Sequence, residues 1–178
     1  MGKSPYTIQF GGLPVGIHEY EFDIKDAFFK TIENSDIHKA DISVKAVLTR
    51  QNNVLHLDFD INGSIGSECD RCLKDFNFPI STKEGLVIKH GNPDESTDEI
   101  IVIPEGIDEV NIAQYIYEYI VLAIPARRVP CEIDEKLYEC DFDTLAKLNE
   151  ISTDSIKEDE PINPMWEQLN KLKKYNKN

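Results

Sequence analysis

Alternation of apolar and polar side chains over residues 54–61 is the feature that most constrains the fold of this chain. Leu55, Leu57, Phe59 and Ile61 share one face, and the residues between them are mostly polar. A period of two residues is typical of a β-strand with one buried face. Comparable patterns predict further strands over residues 5–10, 17–22, 42–50, from Gly63 to about Cys69, and over 76–82, 85–90 and 99–103.

Turn signals separate these predicted strands. Gln51-Asn52-Asn53 divides the 42–50 strand from the 54–61 strand, and residues 91–96 form a polar loop. Asn62-Gly63 is a strong signal for a two-residue hairpin turn, because both residues tolerate a positive φ. The connections are therefore short and local. We expect an antiparallel β-meander or a partly closed, barrel-like sheet.

The apolar period changes from two to nearly four after residue 110. Ile112, Ile116, Ile120 and Ile124 recur every four residues, as on one face of an amphipathic helix. We predict this helix over residues 111–124, with Asn111 as N-cap, Gln114 as its capping-box partner and Pro125 ending it. Short flanking helices are expected after Asp23 and over residues 142–149. The predicted fold class is α+β, with the 111–124 helix covering the sheet.

Composition divides the rest of the chain into a linker and a tail. Residues 150–162 are rich in acidic and polar side chains, which is typical of a flexible segment. Residues 163–178 begin with Asn-Pro, a favourable helix start, and continue with an apolar stripe and several lysines. We therefore predict one α+β domain over residues 1–149, an acidic linker over 150–162 and a basic C-terminal helix over 163–178.

The net charge of −14 is unevenly distributed along the chain. Residues 94–160 carry 19 acidic and 5 basic side chains, whereas residues 161–178 carry 1 acidic and 4 basic ones. The field of the acidic stretch repels phosphate and attracts a basic protein. The alternative is that this charge serves solubility alone.

Four cysteines are the most reactive side chains of the sequence. Cys69 and Cys72 lie two residues apart in a predicted turn between strands, while Cys131 and Cys140 follow the long helix. Three interpretations stay open: a structural Zn²⁺ site with four thiolates, buried reduced cysteines, and a redox dithiol at the CxxC pair. The redox interpretation lacks the βαβ context that thioredoxin-like sites need.

Motifs for nucleotide binding and catalysis are missing from the sequence. The chain has no Gly-rich phosphate loop and no HExxH, and its four histidines lie in separate segments. We expect no catalytic constellation and no small-molecule substrate. Without an 18-residue apolar run or an apolar leader, we also expect a cytoplasmic protein with no membrane partner.

An ordered set of features resembles the YceD family, the large ribosomal RNA subunit accumulation proteins. The set begins with Cys69, Arg71, Cys72 and Leu73, and continues with an acidic loop and the amphipathic helix that ends at Leu122-Ala123-Ile124-Pro125. Its last members are listed in chain order: Cys140-Asp141, Asn163-Pro164, Trp166, Leu169, Leu172 and Lys173. The resemblance covers about residues 60–178.

The resemblance implies a cytoplasmic factor for synthesis, processing or stability of the 23S ribosomal RNA, with no catalytic residues to assign. Its partners would be the large-subunit precursor, its RNA or a basic ribosomal protein. Candidate contacts are the basic residues Arg71, Lys74, Arg127, Arg128, Lys171, Lys173 and Lys174. The alternatives are a thiol redox enzyme using the CxxC pair and a generic acidic protein-interaction module.

Overall fold

The computed structural model describes residues 4–33, 35–51, 54–97, 99–130, 138 and 140–152. In chain order its elements are β1 (Thr7–Gln9), β2 (Gly16–Lys25), α1 (Asp26–Phe29), β3 (Ala40–Arg50), β4 (Val54–Glu68), β5 (Asp75–His90), a 3₁₀ turn (Pro93–Glu95), β6 (Ile100–Ile103), β7 (Glu109–Asn111), α2 (Ala113–Leu122) and α3 (Phe142–Ile151). The predicted α+β class is confirmed. None of the helices in these ranges is long and apolar enough to cross a membrane.

Five strands form one open, mixed sheet in the order β2-β3-β4-β5-β6. The first four are antiparallel neighbours, as in the predicted meander, but β6 pairs with β5 in parallel. The parallel pair arises because the segment after His90 folds back through the 3₁₀ turn and brings Ile100 beside Val87. Among the described strands β2 and β6 are not paired, so the sheet does not close into a barrel.

The predicted hairpin turn at Asn62-Gly63 is also wrong. Strand β4 continues through both residues, and Gly63 lies opposite Ile42 of β3. A Cβ at position 63 would lie 2.3 Å from the carbonyl oxygen of Asp41. Glycine is therefore needed here for close approach of two backbones within the sheet. In the same way the predicted strands 76–82 and 85–90 are parts of one strand, β5.

The sheet has one apolar and one charged face. Leu48, Leu57 and Leu86 are cross-strand neighbours in the core, and each is at most 2% exposed. On the other face, Lys45 lies 2.9 Å from the Glu19 carboxylate, and Lys83 lies 3.1 Å from that of Asp60. Alternation in the sequence thus separates the two faces as predicted. Exposed ion pairs of this kind contribute little to stability.

Helix α2 occupies the inner part of the predicted 111–124 segment. It buries Ile116, Tyr119 and Ile120. The Tyr119 ring packs on Phe59 of β4 with ring centroids 5.3 Å apart, and burial raises the pKa of Tyr119 to about 12. Asn111 is the last residue of β7 rather than the N-cap, yet its side chain accepts a hydrogen bond from the Ala113 amide at 3.0 Å.

The two short helices differ in how well they were predicted. Asp23 does not cap the first one, because β2 continues to Lys25 and α1 spans only four residues. The Asp26 carboxylate instead accepts a hydrogen bond from the Ala40 amide at 2.8 Å. The other predicted short helix, over 142–149, is confirmed as α3, whose N-cap Asp141 accepts bonds from the next turn.

The chain divides into two units, Met1–Glu139 and Cys140–Asn178. The first unit contains both sheets, α1 and α2, and the second contains α3. Residues 153–178, which include most of the predicted linker and the whole basic helix, lie outside the described ranges. The predicted boundaries at 149 and 162 therefore stay predictions.

Candidate functional site

The segment between β4 and β5, residues 69–74, forms a tight turn that we call the CxRC turn. The Cys69 amide donates to the Lys74 carbonyl at 3.0 Å, and the Leu73 amide donates to the Cys69 carbonyl at 2.9 Å. Leu73 has a φ of 58°, which makes it the only non-glycine residue with a positive φ in the described ranges. The sequence correctly placed this turn at a junction of strands.

Arg128, which follows α2 in the chain, stabilises the CxRC turn through hydrogen bonds. The Asp70 amide donates to the Arg128 carbonyl at 2.9 Å, and the Arg128 amide donates back to the Asp70 carboxylate at 2.5 Å. The Arg128 guanidinium donates to Asp70 at 3.3 Å and to the Ser67 hydroxyl at 3.0 Å. We call this set of bonds the Asp70–Arg128 clamp. It joins two segments that are 58 residues apart in the chain.

The clamp favours the ionised form of Asp70. The backbone hydrogen bond from Arg128 is the main cause that lowers the pKa of Asp70, and the charges of Arg128 and Arg127 lower it further. A carboxylate that accepts such bonds is held in its charged form.

Both cysteines of the turn are buried, with 1% of Cys69 and 3% of Cys72 exposed. Cys131 lies outside the described residues, and Cys140 belongs to the second unit and is disulfide-bonded. The interpretation of reduced cysteines therefore holds for Cys69 and Cys72 but is wrong for Cys140. Within the described ranges, no group of three or more His, Cys, Asp or Glu side chains could hold a metal ion. The structure therefore gives no support to the predicted four-thiolate zinc site.

The predicted basic contacts are partly brought together. Arg71, Lys74 and Arg127 are exposed, whereas Arg128 is half-buried and uses its guanidinium in the clamp. Arg71 and Lys74 lie on the CxRC turn, and the clamp joins the segment of Arg127 to it. The three predicted contacts of the tail, Lys171, Lys173 and Lys174, lie outside the described residues.

A cavity of about 650 Å³ lies beside the clamp. Its lining includes Arg128 and Ser67 from the clamp region, His38 and Lys39 before β3, and Phe76 at the start of β5. Sequence reasoning did not find this cavity, because its lining residues come from distant segments and share no pattern. Lysine, arginine and three carboxylates mix in its wall, so its charge selects no ligand class.

A family model described as "Large ribosomal RNA subunit accumulation protein YceD" matches residues 57–173. The chain belongs to the YceD family. The resemblance predicted from the sequence is thereby confirmed. The match begins within β4 and includes the CxRC turn, β5 to β7 and all residues of α2 and α3. No curated protein and no solved structure matches the chain.

The YceD match contains both halves of the clamp. Asp70 and Arg128 lie within residues 57–173, as do the exposed basic residues Arg71, Lys74 and Arg127. Strands β1, β2 and β3 lie before the matched region, although they complete both sheets. The candidate site therefore lies in the part of the chain that matches the YceD family. Strands β1, β2 and β3, which precede that part, complete the sheets that support the site.

Proposed function

We propose that this protein is a non-enzymatic cytoplasmic factor that supports accumulation of the large-subunit ribosomal RNA, through its synthesis, processing or stability. The family match over residues 57–173 is the observation that carries this proposal. The clamped basic turn supports a direct role, since exposed arginine and lysine side chains on a turn with a held backbone suit phosphate contacts. The RNA would be that of a large-subunit precursor particle.

In this proposal Arg71, Lys74 and Arg127 contact RNA phosphates. They are exposed, and the CxRC turn that carries two of them is tied down by backbone hydrogen bonds and by the clamp. Arg128 acts as a positioning residue, because its guanidinium donates to Asp70 and Ser67 within the protein. Lysines 171, 173 and 174 of the tail would add further phosphate contacts.

The acidic stretch has a separate role in the proposal. Residues 94–160 carry most of the negative charge, and such a field attracts basic proteins. This stretch would hold a basic ribosomal protein of the precursor while the basic turn contacts RNA. The two functions would thus lie in segments of opposite charge within one chain.

Sedimentation tests the proposal directly. Lysate from cells with tagged full-length protein is separated on sucrose gradients at low and raised salt. We expect co-migration with large-subunit precursors at low salt and its loss at raised salt, because phosphate contacts release counterions. Protein that remains at the top of the gradient at both salts contradicts direct participation in assembly.

Charge reversals assign the contact to specific residues. The triple change Lys171→Glu, Lys173→Glu and Lys174→Glu tests the tail, and Arg71→Glu with Lys74→Glu tests the turn. Each set should lower particle binding severalfold. Lys25→Glu with Lys83→Glu is a matched control, since both lysines are exposed on the sheet. Equal loss in the control and the turn variant would indicate a general charge effect.

A further inference from the structure

Leu73 combines a strained backbone with an exposed apolar side chain. Its φ of 58° lies in the left-handed region, and 70% of its surface is exposed. A bulky residue with a positive φ is an outlier, because its Cβ crowds the neighbouring carbonyl oxygen. Glycine and asparagine occupy this conformation far more readily. The shape of the turn therefore does not account for a leucine at this position.

Packing does not account for Leu73 either. The two cysteines that precede and follow the tip of the turn are buried, whereas the Leu73 side chain points away from the core and is mostly in solvent. A polar residue would satisfy solubility better at such a position. The hydrogen bonds of the turn and the clamp nevertheless hold the backbone that carries this residue. A strained residue at an exposed, fixed position suggests a functional contact.

The surroundings of Leu73 indicate the chemistry of its partner. Lys74 follows it directly, and Arg71 precedes it by two residues. The clamp holds the segment that contains Arg127 next to the turn. All three cationic side chains are exposed. An exposed apolar side chain among exposed cationic side chains complements a polyanion that also has apolar faces. RNA with unpaired bases has this combination, because the base faces are apolar and the backbone carries phosphates.

We propose that Leu73 packs against unpaired bases of ribosomal RNA while Arg71, Lys74 and Arg127 contact the adjoining phosphates. This inference rests on the proposed function and adds the class of RNA and the residue that contacts it. In the minor groove of duplex DNA, apolar side chains such as leucine wedge between base steps beside basic residues, which shows that leucine can pack on base faces. The contact of Leu73 adds affinity without adding charge. Its contribution to affinity therefore does not depend on salt concentration, whereas the contribution of the phosphate contacts falls as salt rises.

The experiment uses full-length protein and in vitro transcripts that tile the large-subunit ribosomal RNA, with binding measured over a series of KCl concentrations. The test variants are Leu73→Asn and Leu73→Gly, which both suit a positive φ and so preserve the turn. Ile17→Asn is the matched control. Ile17 is 68% exposed at the other end of the sheet, about 40 Å from the turn along the strands.

For wild-type protein we expect binding to at least one transcript. Both Leu73 variants should bind it about tenfold more weakly, because they lose the burial of one leucine side chain. The slope of log affinity against log salt should stay unchanged, since no phosphate contact is lost. Arg71→Glu with Lys74→Glu should reduce that slope, and Ile17→Asn should bind like wild type. The thermal unfolding midpoints of the Leu73 variants should equal or exceed that of wild type.

Other outcomes overturn the inference in distinguishable ways. If wild type binds and the Leu73 variants bind equally well, Leu73 contacts no base, and the proposed function stands. If the variants lose binding to precursor particles but not to naked transcripts, the partner of Leu73 is a ribosomal protein. If wild type binds no transcript at any salt, both the inference and the direct RNA contact of the proposed function fail.

Discussion

The five-stranded sheet and the CxRC turn are built on opposite principles. In the sheet, sequence and local conformation agree: apolar and polar side chains alternate along β3 and β4, and Gly63 lies where a Cβ would meet the backbone of β3. In the turn, a leucine adopts a positive φ and two thiols are buried beside an exposed loop. The turn also depends on Arg128, 58 residues away, whereas the strands of the sheet depend on their chain neighbours.

This difference separates the region that determines the fold from the region that we expect to contact RNA. Consistency between local preference and global structure is the mark of a stable scaffold. Natural proteins violate such preferences mainly at functional sites and compensate for the cost elsewhere. The compensation here is visible in the clamp, which ties the strained turn to the segment after α2.

The largest effect is expected from a cavity in the sheet. Leu57 is fully buried between Leu48 and Leu86. Changing Leu57→Ala should lower the free energy of unfolding by about 2–5 kcal/mol, because burial is lost and a cavity remains. Urea unfolding measures this. The control Leu122→Ala, at a leucine that is 76% exposed, should change stability by less than about 0.5 kcal/mol. Similar losses at both sites would contradict the assignment of the core.

A smaller effect is expected at the buried thiols of the turn. The change Cys69→Ser should lower the free energy of unfolding by about 1–3 kcal/mol, because it buries a hydroxyl in place of a weakly polar thiol. In native wild-type protein, iodoacetamide should label Cys69 and Cys72 slowly at neutral pH, and rapidly only after unfolding. Fast labelling of either thiol in the folded state would instead favour the thiol-enzyme interpretation.

The smallest effect concerns the clamp and depends on pH. Because Arg128 lowers the pKa of Asp70 in the folded protein, the carboxylate stabilises the fold above its ordinary pKa, near pH 4. This stabilisation is lost as the pH falls through the lowered folded value. Changing Asp70→Asn should therefore reduce stability at neutral pH, and its difference from wild type should shrink below about pH 4. Urea midpoints at a series of pH values measure the difference, and a constant difference down to pH 2 would contradict the clamp.

Local patterns predicted the parts of the molecule that rest on local chemistry. Alternation located the strands of the sheet, the change of period located α2, and the pattern over residues 142–149 located α3. The Asn62-Gly63 prediction failed because the turn signal and the need for close strand approach produce the same dipeptide. The parallel pairing of β6 depends on how one loop folds back, which periodicity does not encode.

The candidate site was predictable only in its residue types. Arg71, Lys74, Arg127 and Arg128 were recognised as basic residues near the turn and after the helix, but their meeting depends on a contact across 58 residues. The role of Arg128 as a partner of Asp70 and Ser67 has no signal in the sequence. The strain at Leu73 is visible only in the backbone conformation, because a leucine in the sequence does not indicate a positive φ.

The pairing of β1 with β7 has a consequence for the order in which the protein forms. Strands β2 to β5 pair with chain neighbours, so each pairing closes a short loop as soon as both strands exist. Thr7 instead pairs with Asn111, so β1 leaves the ribosome well before its partner strand β7. Long loops close at a greater entropic cost and later in folding. The N-terminal strand is therefore expected to dock last during synthesis, and to be the first segment exposed to proteases when the finished protein opens.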